Sequence, residues 1–159
     1  ARQHDAFDID VVDLRELNLP FMDEPNHPRL GKYQYEHTIK WSQTVSRADA
    51  FVFVHPEYNF GYTAPLKNAI DYLNKEWNRK PVTFVSYGGI SGGLRAAQML
   101  KQVVTTVGMV PTVNAVPIPF VAKHIEDNAF VANDIMKQGA HTALDELLEL
   151  HGALSTLRR

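Results

Sequence analysis

Residues 51–73 read FVFVHPEYNFGYTAPLKNAIDYL, and where this stretch divides decides the fold. Ala50–Val54 is continuously apolar, the pattern of a strand buried on both faces. From Leu66 the apolar residues recur at helical spacing, through Ala69, Ile70, Leu73 and Trp77. Thr63 stands as a cap and Pro65 sits in the first turn, where proline is tolerated. Between strand and helix lies a loop of Pro, Asn, Gly and aromatic residues, a composition that suits holding something.

The same alternation continues on both sides. Val82–Tyr87, VTFVSY, is a second buried strand that ends in GGISGG. Leu94, Ala97, Leu100, Val104 and Val107 mark the next helix, closed by Gly108. Upstream, Phe7, Ile9 and Val11 alternate with Asp8 and Asp10, predicting a half-exposed strand over residues 7–14 with the aspartates on its solvent face. NLPFMDEPNHPRLG is a long proline-rich connection, and residues 33–47 turn helical with Trp41, Val45 and Ala48 on one face. Downstream, VPTVNAVPIPF is extended but broken by Pro111, Pro117 and Pro119, which marks an edge strand. A final helix is expected over residues 133–157, with Leu144, Leu147, Leu148, Ala153 and Leu154 inward.

Four strands separated by helices imply an α/β fold, a doubly wound open parallel sheet with helices on both faces. The second and third strands read as interior and the first and fourth as edges. The chain, residues 1–159, reads as a single domain.

Composition narrows the function. The 159 residues are 45% apolar and 21% charged with a formal net charge of −2, an ordinary globular balance. Nucleic-acid binding is not expected, because phosphate recognition needs clustered Lys and Arg. The absence of cysteine excludes disulfides, thiolate nucleophiles and Cys-based metal sites. The histidines do not pair at tight ligand spacing, so no metal is expected. His55 reads as a hydrogen-bonded histidine at a strand end. No apolar run is long enough to span a bilayer and no signal peptide is visible, so a cytoplasmic location without membrane contact is the expectation.

In open parallel sheets ligands bind at the carboxyl ends of the strands. HPEYNFGYTAP and SYGGISGG follow the two buried strands and so open on one rim. Four glycines around Ile90 and Ser91 permit positive φ and close backbone approach. Tyr58, Phe60, Tyr62 and Tyr87 offer aromatic surface, and Asn59 offers both a donor and an acceptor. This set suits a planar heteroaromatic with polar edges.

PEYN, then PLKNAIDYL, then SYGGISGGLRA after the next strand resembles the NADPH-dependent FMN reductase family of flavodoxin-like proteins, which includes quinone, azo-dye and chromate reductases. The similarity runs from about Phe7 to Phe120. It implies a flavodoxin-like sheet of order 2-1-3-4-5, FMN as cofactor, and NADPH or NADH as co-substrate. It also implies ping-pong hydride transfer through flavin N5 to a small-molecule electron acceptor such as a quinone, an azo compound or free flavin. No catalytic side chain is implied, because the flavin carries the chemistry. The cofactor-binding residues carried over are Pro56, Glu57, Tyr58 and Asn59 along one edge of the ring, and Ser86, Tyr87, Gly88 and Gly89 along another. Gly92 and Gly93 are expected to permit tight helix packing. Assembly as a homodimer or homotetramer is implied, with Tyr72 and Arg95 as interface candidates.

One departure from the family pattern carries an expectation of its own. The family's first strand ends in a Gly-Ser-x-Arg loop that holds the FMN phosphate at a helix N-terminus, and no such motif precedes Phe7. ARQHD, residues 1–5, reads as the end of the helix after that loop. The expectation is an N-terminally incomplete domain lacking the first strand and phosphate loop, on the order of 30 residues.

GISGG, Gly89–Gly93, also matches the Gly-x-Ser-x-Gly elbow of α/β-hydrolases with Ser91 as nucleophile. His141 or His151, with Asp127, Asp134 or Asp145, would then complete a triad. The competing expectation is that Ser91 caps the following helix. A non-catalytic flavin carrier is the third alternative.

Overall fold

The computed structural model describes residues 4–158. Its centre is a parallel sheet in which β2 (Pro81–Tyr87) lies between β1 (Phe51–Pro56) on one side and β3 (Val110–Pro111) and β4 (Val116–Ile118) on the other. β1 runs beside β2 from Phe51 opposite Val82 to Pro56 opposite Tyr87. β3 pairs with the start of β2 and β4 with its end. The expected fourth strand is thus two short ladders, because between them the N–H groups of Val113 and Asn114 turn to the Glu146 carboxylate and not to β2.

Register sorts the side chains onto two faces. Phe51, Phe53, Val82 and Phe84 share one face. They pack with Trp41, Ile70, Leu73, Trp77, Leu100 and Val104 in the main core. That core is supplied by α2 (Glu36–Arg47), α3 (Ala64–Asp71) with the turn after it, and α4 (Leu94–Thr106). The indole N–H groups of Trp41 and Trp77 donate to Ala69 O and Ile70 O, satisfying two buried donors. On the other face, Val85, Tyr87, Val116 and Ile118 pack with Met136 of α5 (Asp134–Ser155). Helices on both faces of a parallel sheet make this a doubly wound α/β fold.

Two expectations about strands are corrected. Residues 7–13 form no strand: Asp13 instead caps α1 (Leu14–Leu17), with its side chain accepting from the Arg15 N–H. A strand needs a ladder partner, and among the described residues none lies beside 7–13. β1 is also not buried on both faces, for Val52 and Val54 remain 40% and 65% exposed. α5 covers β2 and β4 but leaves this part of the sheet open, and the outer edge of β1 pairs with no strand among the described residues. Among the described residues β1 is therefore an edge strand. Of the helix end expected over 1–5, residues 1–3 lie outside the described residues, and His4 to Ala6 are not helical.

α3 stops at Asp71 rather than continuing to Trp77, and turns carry the chain onward while Trp77 stays buried. A short hairpin absent from the sequence reading, β5 (Ile125–Glu126) with β6 (Ala129–Phe130), follows β4. Asp127 and Asn128 form its turn with φ of 47° and 61°, a conformation that Asp and Asn adopt more readily than other non-glycine residues.

Candidate functional site

Three loops meet at the carboxyl end of the sheet. The first leaves β1 at Pro56 and closes at once into a tight turn. Tyr58 and Gly61 exchange both backbone hydrogen bonds, at 3.0 and 2.9 Å, with Asn59 and Phe60 at the corner, φ 49° and 71°. That is a type I′ geometry in which phenylalanine takes a place normally given to glycine. Tyr58 and Phe60 end up 66% and 60% exposed. Among the described residues the Asn59 side-chain amide has no hydrogen-bond partner.

The second loop, Gly88–Gly93, connects β2 to α4. Gly92 (φ 60°) and Gly93 (φ 83°) bring the start of the helix hard against the sheet end. A Cβ on Gly93 would lie 2.7 Å from both Ser86 Cβ and Tyr87 N, and one on Gly92 3.0 Å from Pro119 N. Among the described residues, none beyond its chain neighbours comes within 4 Å of the position a Gly89 Cβ would take. Among the described residues the N–H groups of Gly89, Ile90 and Ser91 donate to no protein acceptor. The third loop, after β4, was not foreseen in the sequence. Phe120 N–H donates to Gly89 O at 2.9 Å and Val121 N–H to Gly88 O at 3.1 Å, lacing the glycine loop in place. Its first residues, Pro119, Phe120 and Val121, carry no glycine or polar side chain, so only tertiary pairing reveals it.

The eight residues carried over to this rim fall into two groups. Pro56, Tyr58, Asn59, Tyr87, Gly88 and Gly89 lie on or beside the rim with exposed or half-buried atoms. Burial raises the Tyr87 phenol pKa, with a smaller push from Tyr58. Glu57 and Ser86 instead turn their side chains inward. Ser86 is 1% exposed and its hydroxyl donates to Gly92 O at 2.8 Å.

The Glu57 carboxylate, 5% exposed, reaches across to the second loop. Its Oε1 accepts from Ser91 Oγ at 2.9 Å and from Arg95 Nε at 2.7 Å, and pairs with Arg95 Nη2 at 2.6 Å. Its Oε2 accepts from the backbone N–H groups of Arg95 and Ala96, at 3.0 and 3.3 Å. Burial works against its ionisation, but the bonds from Ser91, Arg95 and Ala96 outweigh it and hold the pKa below the usual carboxylate range. The Arg95 guanidinium also stacks 3.8 Å from the centre of the Phe60 ring.

This geometry bears on Ser91. Its hydroxyl is bound to Glu57, while His141 lies against His4 and His151 Nδ1 faces the Arg158 guanidinium. A nucleophile elbow requires a histidine at the hydroxyl, and among the described residues none hydrogen-bonds to Ser91. Ser91 does accept the Gly93 N–H at 3.3 Å, yet the first free amides inside α4 are taken by Glu57. The interface expectation for Tyr72 is also corrected. It is fully buried, and its hydroxyl donates to Asp23 at 2.8 Å. Burial, then that bond and the Asp23 charge, raise its pKa above the usual phenol range.

A rim built from strand-to-helix loops on a parallel sheet marks the ligand-binding end of a doubly wound α/β protein. A family model for NADPH-dependent FMN reductase matches residues 1–123, and the chain belongs to that family. The NAD(P)H-dependent FMN reductase of Schizosaccharomyces pombe is 48% identical over 123 residues, covering 75% of this chain and 61% of the relative. The FMN-dependent NADPH-azoreductase of Staphylococcus saprophyticus is 29% identical over 153 residues, 92% of this chain and 79% of the relative. Among solved structures, a Paracoccus denitrificans flavoenzyme NAD(P)H:(acceptor) oxidoreductase superposes with a TM-score of 0.64 at 20% identity, covering 90% of this chain and 86% of that one. The chain spans about half to two thirds of the length of the fungal relatives it matches.

Proposed function

We propose that this chain is the flavin-holding part of an FMN-dependent NAD(P)H oxidoreductase that reduces quinones, azo compounds, free flavin or similar small acceptors. The observation that carries the reading is the pairing of the two rim loops. They stand clasped together with unpartnered N–H groups at Gly89–Ser91, a free amide at Asn59 and exposed aromatic surface at Tyr58 and Phe60. These groups fit a planar ring with polar edges. Membership of the family supports FMN as that ring, and the names of the relatives support NAD(P)H as its reductant.

Pro56, Glu57, Tyr58 and Asn59 would hold one edge of the ring and Ser86, Tyr87, Gly88 and Gly89 another. Glu57 and Ser86 contribute through backbone atoms, because both side chains are committed inward. When bound, FMN supplies the redox chemistry, accepting hydride and passing electrons on. The protein orients the ring and leaves one face open to the co-substrate and acceptor in turn. The α4 N-terminus, the ready anion site on this rim, is filled by Glu57, so a phosphate belongs elsewhere.

We also place the protein in the cytoplasm as a homodimer or homotetramer. No helix among the described residues is long and apolar enough to cross a membrane. Sedimentation of the purified chain tests the assembly. The activity is tested by following NADPH and NADH consumption with FMN and a quinone present. Consumption that needs protein, flavin and quinone together is expected. A rate equal to that of free FMN overturns the enzyme reading and leaves the carrier.

A further inference from the structure

We infer that Glu57 and Arg95 are positioning residues for the flavin site, a clasp that sets the spacing of the two rim loops and holds the corner of the first. The inference rests on the flavin reading above and assigns roles to two side chains that do not themselves contact the ring.

Glu57, in the first loop, and Arg95, in the first turn of α4, lie 38 positions apart, and the contacts divide the work. Glu57 Oε2 sits on the backbone of α4, so the first loop is tied to the helix itself and not merely to a mobile side chain. Glu57 Oε1 gathers Ser91 and the Arg95 fork, fixing the middle of the glycine loop. The Arg95 guanidinium carbon lies over the Phe60 ring, 3.8 Å from its centre. Phe60 stands at φ 71°, a strained conformation for a non-glycine residue that persists only where its surroundings enforce it. The Tyr58–Gly61 backbone pair closes the turn, and Arg95 adds a side-chain hold on its corner. Releasing Arg95 loosens the turn that carries Tyr58 and Asn59.

Arginine is required at this place. It alone combines a charge, an Nε donor and a planar face that stacks on an aromatic ring. Lysine keeps the charge and loses the other two.

The test compares wild-type protein with Glu57→Gln, Arg95→Lys and Arg95→Ala, using two readouts. Hydrogen exchange is measured for peptides covering residues 56–62 and 88–96. Riboflavin is titrated by fluorescence quenching, with the visible circular dichroism of the bound ring recorded.

Faster exchange in both loops of Glu57→Gln is expected, with α5 unchanged. Riboflavin affinity should fall about tenfold or more in Glu57→Gln and Arg95→Ala, with an altered ring dichroism. Arg95→Lys should fall between wild type and Arg95→Ala. The double variant Glu57→Gln/Arg95→Ala should lose little more than either single one, because the two act as a unit. Additive losses, or wild-type exchange with wild-type affinity and dichroism, overturn the clasp. If Glu57→Gln does not fold, the two Arg95 variants decide the same question. If wild-type protein binds no flavin, the flavin reading fails, and the exchange comparison alone then decides whether the clasp holds the loops.

Discussion

His55, at the end of β1, is 1% exposed; its Nδ1 faces the Pro56 carbonyl at 3.2 Å and its Nε2 is buried without a partner. Burial lowers its pKa from the ordinary 6.5, with the Pro56 carbonyl and Glu57 pulling weakly the other way. A buried base with a depressed pKa stays neutral in the native state while the unfolded chain takes up a proton. No stability is lost above about pH 6.5, and stability falls progressively as pH drops below it. Thermal melts between pH 7.5 and 5.5 should therefore show a shallower decline for His55→Phe than for wild type, and equal slopes would contradict this. The sequence reading of His55 as a hydrogen-bonded strand-end histidine was half right: one ring nitrogen has a partner and the other does not. Gly93 makes a second claim at this scale. At φ 83°, with a Cβ meeting Tyr87 N at 2.7 Å, Gly93→Ala must push α4 off the sheet. A loss of roughly 2 kcal/mol or more is expected in urea unfolding.

The elements differ in how far local sequence determines them. α4 was legible because Leu94, Ala97, Leu100 and Val104 repeat at helical spacing and Gly108, φ 81°, ends the helix as expected. Leu100 is fully buried, and Leu100→Ala should cost about 2–5 kcal/mol by denaturant titration. Strands were less legible, because a strand exists only through its neighbours. Phe7, Ile9 and Val11 alternate as a strand should, yet with no ladder partner among the described residues they form none. Ala50–Val54 looked buried on both sides because it is apolar throughout, whereas burial depends on what lies over the sheet. Val54, at 65% exposure, gives the contrast a measurement. Val54→Thr should change stability by no more than about 0.5 kcal/mol, and a loss above about 1 kcal/mol would restore the buried-strand reading.

At the scale of the whole molecule, the order β1, α3, β2, α4 and the rim that joins two of their loops were readable from the sequence. The motifs there are local and their glycines have backbone reasons. What was not readable is how that rim is held together. Glu57 looked like part of a ligand loop, and only the fold brings it to Ser91, Arg95 and the amides of α4. The lacing by Phe120 and Val121 was hidden for the same reason, being made of backbone groups that every residue has. The central claim is that this rim recognises a flavin ring. The measurement that meets it most directly is a fluorescence-quenching titration of riboflavin and FMN against the purified chain. Saturable quenching of both is predicted, since the groups on the rim address the ring the two share. Absence of saturable quenching with either would contradict the account.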